Sequence, residues 1–148
     1  MEESCSGRVS VRREVAAAIA AHARRESPRE CCGLLLGTPR EVSEAVATAN
    51  VAEGPERRYQ ISPADHFALI RRCRTAAGSR RREIVGVYHS HPRSAPVPSP
   101  TDRREAFTDF LYIIAGPADD SVPLELRAYR LVSGVFEDVV MSGEPPSD

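Results

Sequence analysis

The chain contains no lysine and no tryptophan; all 20 of its basic residues are arginine. Without lysine there is no side-chain amine on which the chain could itself be conjugated. An Ala-, Pro- and Arg-rich composition accounts for that absence plainly, as codon bias in a GC-rich genome. An apolar run near the roughly 20 residues needed to span a bilayer is also missing, and the N-terminus lacks signal-peptide architecture. A soluble protein with no membrane partner and a cytoplasmic location is therefore expected. The four cysteines, Cys5, Cys31, Cys32 and Cys73, include no Cys-x-x-Cys pair. A bridge between the adjacent Cys31 and Cys32 would be strained, so neither a zinc ribbon nor a secreted disulfide scaffold is indicated. Reduced thiols acting as small buried hydrophobes are expected.

A charge excess of either sign is lacking too, with a formal net charge of -1. One local exception is the basic run Arg71, Arg72, Arg74, Arg80, Arg81 and Arg82. No stacking aromatic rings interleave with it, so it reads as a solvated helix end rather than a nucleic-acid site, and no nucleic-acid partner is expected. A length of 148 residues suits one domain with a real core and is short for two, so residues 1–148 are taken as a single domain with residues 142–148 as a flexible tail.

Residues 9–25 place Val11, Val15, Ile19 and Ala23 along one face with arginines elsewhere, which predicts an amphipathic first helix. Residues 34–36 and 42–49 read as neighbouring strands joined by a turn at 37–40. A polar loop at 50–58 and a short strand at 59–61 precede a second helix, capped by Ser62, with Phe67, Ile70 and Cys73 inward and Gly78 at its end. Residues 83–88 are apolar and rich in β-branched side chains, hence a largely buried strand. Residues 110–115, 124–131 and 135–141 read as further strands, the last two joined by a Ser133-Gly134 turn. The order of elements implies a mixed α/β sandwich flanked by helices.

The densest chemistry lies at the exit of the buried strand, in His89-Ser90-His91-Pro92, followed after six more residues by Ser99 and then Asp102. Side chains two apart on a strand share a face, so His89 and His91 can converge on one metal ion while Ser90 points away. Pro92 ends the strand and the proline-bearing loop 93–98 turns the chain back. Ser99-Pro100-Thr101-Asp102 has the form of a helix start, with Ser99 as N-cap and Asp102 in the first turn. Two imidazoles and one carboxylate form a three-ligand set suited to Zn2+, one ion per chain, with a fourth position open to water. An open position is the mark of a catalytic site.

His-x-His-Pro, six residues, then Ser-x-x-Asp resembles the signature of the JAMM (MPN-plus) zinc metalloprotease family, in its compact prokaryotic branch. The resemblance implies a cytidine-deaminase-like fold and singles out a glutamate just before an early strand. Glu30, in Glu30-Cys31-Cys32-Gly33, fits that place, whereas Glu26 sits at the polar end of the preceding helix. It assigns Glu30 as the acid/base that takes a proton from water and returns it to the leaving amine, His89, His91 and Asp102 as zinc ligands, and Ser99 as the donor to the developing oxyanion. It also implies hydrolysis of a peptide or isopeptide bond after the C-terminal Gly-Gly of a ubiquitin-like or sulfur-carrier protein. An extended substrate tail is expected to pair with an exposed strand edge. A zinc nucleobase deaminase would need His-x-Glu and Pro-Cys-x-x-Cys, and a serine hydrolase Gly-x-Ser-x-Gly; none is present. The remaining alternative is a non-catalytic zinc-binding MPN scaffold, and homo-oligomer formation is left open.

Overall fold

Alternation along Cys31 to Leu36 sets the architecture. Leu34 and Leu36 face one way and Cys31 and Leu35 the other, and all four are at most 1% exposed. A strand buried on both faces needs cover on both. The computed structural model, which describes residues 7–75, 82–107, 110–117 and 124–143, supplies it. Its elements run β1 (Arg8–Val11), α1 (Arg13–Glu26), β2 (Cys32–Thr38), β3 (Glu41–Thr48), α2 (Pro63–Thr75), β4 (Glu83–Ser90), α3 (Pro100–Glu105), β5 (Leu111–Pro117), β6 (Leu124–Val132) and β7 (Val135–Ser142).

The α1 face packs Val15, Ile19 and Ala23 against Cys31, Leu35, Tyr88 and Ile113. On the other face Leu69 of α2 joins Leu34, Leu36, Val87 and Tyr112, with Tyr59 and Ile61 against them. Burying each Leu or Ile contributes about 1.5–3 kcal/mol relative to leaving it exposed. Between α1 and β4, His22 Nδ1 and the Tyr88 hydroxyl lie 2.7 Å apart, so this buried polar pair is satisfied internally.

The sheet is mixed, as the sequence implies, but it closes on itself in the order β1-β3-β2-β4-β5-β6-β7. Closure depends on β1, which runs parallel to both β3 and β7. An open sheet in a sandwich therefore gives way to a seven-membered ring, in which β1 covers β3 only at residues 41–42 and β7 only at residues 140–142. The part of β3 beyond residue 42 has no second strand partner among the described residues, so an edge of the kind expected for a substrate tail is left there. Closure comes from a short segment read as the start of the first helix. Val9 and Val11, 0% and 4% exposed, alternate as strand residues, and the helix begins only at Arg13.

Three smaller differences follow from packing. Phe67 points outward and is 64% exposed, and Leu69 takes the inward place on α2. Residues 59–61 form no strand beyond a single bridge between Asn50 and Ile61. β5 and β7 each run past their expected ends, β7 as far as Ser142, so of the expected tail residues 144–148 lie outside the described residues, as do Cys5, Gly78, Arg80 and Arg81. Within the basic run, Arg72 and Arg82 both pair with Glu44, at 2.7 and 3.0 Å. Cys31, Cys32 and Cys73 are free thiols, with Cys31 in the α1-side core and Cys32 Sγ near Thr48 on the other side. The β6–β7 turn has Ser133 and Gly134 at φ 53° and 80°, the positive pair that a two-residue hairpin demands. No helix among the described residues is long and apolar enough to cross a membrane.

Gly86 faces Leu35 on one side and Leu111 on the other. A Cβ there would run into the Leu111 carbonyl oxygen, a backbone atom that cannot swing away. Gly86→Ala is expected to destabilise the fold by about 1–3 kcal/mol, read as a lower urea midpoint at unchanged slope.

Candidate metal centre and its cleft

Strand periodicity aims the two imidazoles. Val87 faces the α2 layer and Tyr88 the α1 layer, so His89 falls on the α2 side, where the Tyr59 ring stacks on it with centroids 4.4 Å apart and planes 21° from parallel. Ser90 points the other way, and its Oγ accepts the Cys31 N–H at 2.8 Å. The strand ends at Ser90, and the His91 N–H donates to the Ala115 carbonyl at 2.8 Å. The following loop is pinned twice, by the Tyr129 hydroxyl donating to the Pro96 carbonyl at 2.8 Å and by His91 Nδ1 donating to the Ala95 carbonyl at 2.9 Å. That second bond sets the tautomer, because an Nδ1–H leaves Nε2 with its lone pair toward the centre.

Ser99 caps α3 by accepting the Asp102 N–H at 3.0 Å, while Asp102 Oδ2 accepts the Ser99 N–H at 2.9 Å. The reciprocal capping box holds the carboxylate against both rings: His89 Nε2 lies 3.3 Å from Oδ1 and His91 Nε2 3.2 Å from Oδ2. One potential ligand atom from each of the three residues lies within 4.8 Å of the others. The His89–Asp102 approach is an ion-pair distance without hydrogen-bond alignment, and neither buried ring nitrogen of His89 has a hydrogen-bond partner among the described residues. Orphaned, fully buried imidazole nitrogens are costly unless something else satisfies them. A metal ion fits that requirement, and two imidazoles with a carboxylate are a donor set suited to zinc.

Burial lowers the His89 pKa below its ordinary value despite the pull of Asp102, so the ring is neutral, as a ligand must be. For Asp102, burial works upward, but the two imidazoles and the Ser99 N–H outweigh it and hold the carboxyl far below its usual range. His91 is also opposed by burial, yet Asp102 and the Ala95 carbonyl raise it.

Glu30 precedes β2 and is 6% exposed. Its backbone N–H donates to the Pro55 carbonyl at 2.7 Å, and its carbonyl accepts the Asn50 amide at 2.9 Å. Its Oε1 is buried with no hydrogen-bond partner among the described residues. Burial raises its pKa to about 7, a shift opposed by His91 and reinforced by Asp102. Glu30, His91 and Ser99 line one cleft of about 620 Å3, together with Pro28, Glu56, Arg57, Pro92, Arg93 and Ser94. All five residues singled out in the sequence thus gather at one place, and Glu26 stays at the helix end, paired with Arg29 at 3.2 Å. The sequence reading missed Tyr59 behind His89 and Asn50 beneath the loop. A lone ring and a lone amide 30 and 39 positions before His89 carry no spacing signal.

The chain belongs to the prokaryotic homologues of the JAB domain, a family it matches over residues 12–132. It is 35% identical over 119 residues to the desampylase of Haloferax volcanii, covering 76% of this chain and 83% of that protein. It is 30% identical over 130 residues to the CysO-cysteine peptidase of Mycobacterium tuberculosis, with 86% of each chain covered. The crystal structure of a JAB1/MPN domain protein from Archaeoglobus fulgidus superposes with a TM-score of 0.58 at 21% identity, over 93% of this chain and 100% of that one, a likeness of fold.

The raised Glu30 carboxyl has a measurable consequence in metal-free protein. Its folded pKa of about 7 exceeds the ordinary 4.5, so the native state retains a proton that the unfolded state has lost between those values. Stability from this group is complete below the lower value and is lost as pH rises through about 7. Glu30→Gln carries no such charge. Thermal melts of metal-free protein should show the variant more stable than the parent at pH 8, by up to about 3 kcal/mol, with the gap closing toward pH 4.5.

Proposed function

We propose that this chain is a zinc metallopeptidase or isopeptidase of the JAMM type, hydrolysing the bond that follows the C-terminal Gly-Gly of a ubiquitin-like or sulfur-carrier protein. The observation that carries the reading is the convergence of His89, His91 and Asp102 at a cleft lined by His91 and by Glu30, one of whose carboxyl oxygens is buried without a hydrogen-bond partner among the described residues. Relatives named as a desampylase and a CysO-cysteine peptidase support the substrate class.

His89, His91 and Asp102 would hold the metal. Bound there, zinc would supply a Lewis acid for the carbonyl and lower the pKa of water to about 7. Glu30 takes the proton from the attacking water. Its burial suits the task, because a carboxyl with a pKa near working pH gains and loses a proton readily. Water oxygen bonds to the carbonyl carbon, the C–N bond breaks, and Glu30 returns the proton to the leaving amine. Ser99 Oγ accepts the Asp102 N–H with a lone pair, so its O–H stays free to donate to the developing oxyanion. The side of β3 that β1 leaves uncovered beyond residue 42 offers main-chain groups to an extended tail, and glycine at its last positions suits a close approach to the cleft.

Metal analysis and turnover together test this assignment. His91→Ala should lose stoichiometric zinc and activity. Glu30→Gln should keep zinc and fold but lose about 10²–10⁴-fold in kcat. Zinc retained in His91→Ala, or released by Glu30→Gln, would overturn the division of roles.

Replacing the final glycine of the carrier by alanine should slow cleavage sharply in a mass-spectrometric assay. Equal cleavage of that variant, or equal turnover of unrelated unfolded peptides, would make the chain a general peptidase.

A further inference from the structure

The geometry points to Arg57 and Arg93 as a site for the free α-carboxylate of the departing residue, so that the substrate is a linear carrier extended by a single amino acid rather than one branched through a lysine side chain. This rests on the hydrolytic reading above.

Both arginines line the cleft that contains Glu30, His91 and Ser99. Each is anchored close to one of those residues. Arg57 closes a turn through its N–H to the Gly54 carbonyl at 3.0 Å, and within that turn the Pro55 carbonyl accepts the Glu30 N–H at 2.7 Å. The turn is held by Asn50, whose Nδ2 donates to the Glu30 and Arg58 carbonyls at 2.9 and 3.1 Å and whose Oδ1 accepts the Ala52 and Gln60 N–H groups, both at 3.0 Å. Arg93 lies two residues after His91, in the loop pinned by the Ala95 and Pro96 carbonyls.

The neighbouring arginines are already engaged. Arg29 pairs with Glu26 at 3.2 Å and Arg58 with Glu105 at 3.6 Å. Among the described residues neither Arg57 nor Arg93 has an ion-pair partner. Glu30 and Glu56 lie in the same lining, so the two arginines stand with two carboxyl groups, of which Glu30 is the one assigned to carry the proton.

The chemistry of the leaving group matches this placement. Glu30 delivers its proton to the departing nitrogen. In an α-linked residue the carboxylate carbon is two bonds from that nitrogen, about 2.5 Å away. The carboxylate therefore reaches the Glu30 side of the cleft, where arginine binds it with paired, charge-assisted N–H donors. An isopeptide-linked lysine brings no such anion, since four methylene groups separate its nitrogen from a backbone already in amide linkage.

The test uses a ubiquitin-fold sulfur carrier ending in Gly-Gly and extended by one alanine, prepared with either a C-terminal carboxylate or a C-terminal carboxamide, and cleaved by the zinc-loaded full chain. The carboxylate form should be favoured by about tenfold or more in kcat/KM, carried mainly by KM. The Arg57→Gln/Arg93→Gln variant should bring the ratio of the two substrates near one. Equal rates for both forms in the parent protein, or faster cleavage of a lysine-branched conjugate of the same carrier, would overturn the carboxylate site while leaving the hydrolytic reading standing. Failure of the zinc-loaded, folded protein to cleave any of the three would overturn that reading and the inference with it. Because the parent comparison stands alone, the test survives a double variant that does not fold.

Discussion

The register between β2 and β4 is the constraint on which the site depends. The two strands run antiparallel with Cys32 opposite His89. That pairing places Glu30, two residues before β2, beside the exit of β4. It is sealed at its end by an exchange between Ser90 and Cys31, in which Ser90 Oγ accepts the Cys31 N–H at 2.8 Å and the Ser90 N–H donates to the Cys31 carbonyl at 3.2 Å. Because side chains alternate, a slip of one residue would send His89 into the α1-side core and turn Ser90 toward Tyr59. Gly33 protects the register: a Cβ there would strike the Tyr88 ring, so only glycine lets Tyr88 lie flat against β2 and reach His22.

The site concentrates polar groups in a dry place. His89 is 1% exposed, and both its ring nitrogens lack hydrogen-bond partners among the described residues, as does one oxygen of Glu30. Such groups cost stability and persist when the surrounding structure over-determines them. Here the surroundings are rigid. A capping box fixes Asp102, the Ala95 carbonyl fixes the His91 ring, and Tyr59 backs the His89 ring. The pieces that would bind an ion are held ready by contacts that need no ion.

Where periodicity and turn chemistry speak locally, the sequence was legible. The alternation through His89 and His91, the proline stop at Pro92 and the Ser99 cap are short-range signals, and the structure bears out their geometry. Glu30 was legible only through resemblance, since an isolated carboxylate before a strand has no spacing of its own. The misread parts depend on partners distant in sequence. Arg8–Val11 forms a strand because β3 and β7 lie on either side of it, not because four residues carry a strand signal. Phe67 fits the helical inward pattern, yet the α2 layer is filled by Leu69 and by Tyr59 and Ile61 from the preceding loop.

The ring that β1 completes has a consequence for how copies of this chain can meet. An open sheet presents a row of unpaired backbone donors and acceptors that will template any extended segment, its own included. Here β1 is four residues long and covers β3 only at residues 41–42 and β7 only at residues 140–142. The ring is thereby closed at one end, and the part of β3 that runs on toward Cys32 and the site keeps backbone groups to which an extended segment can pair.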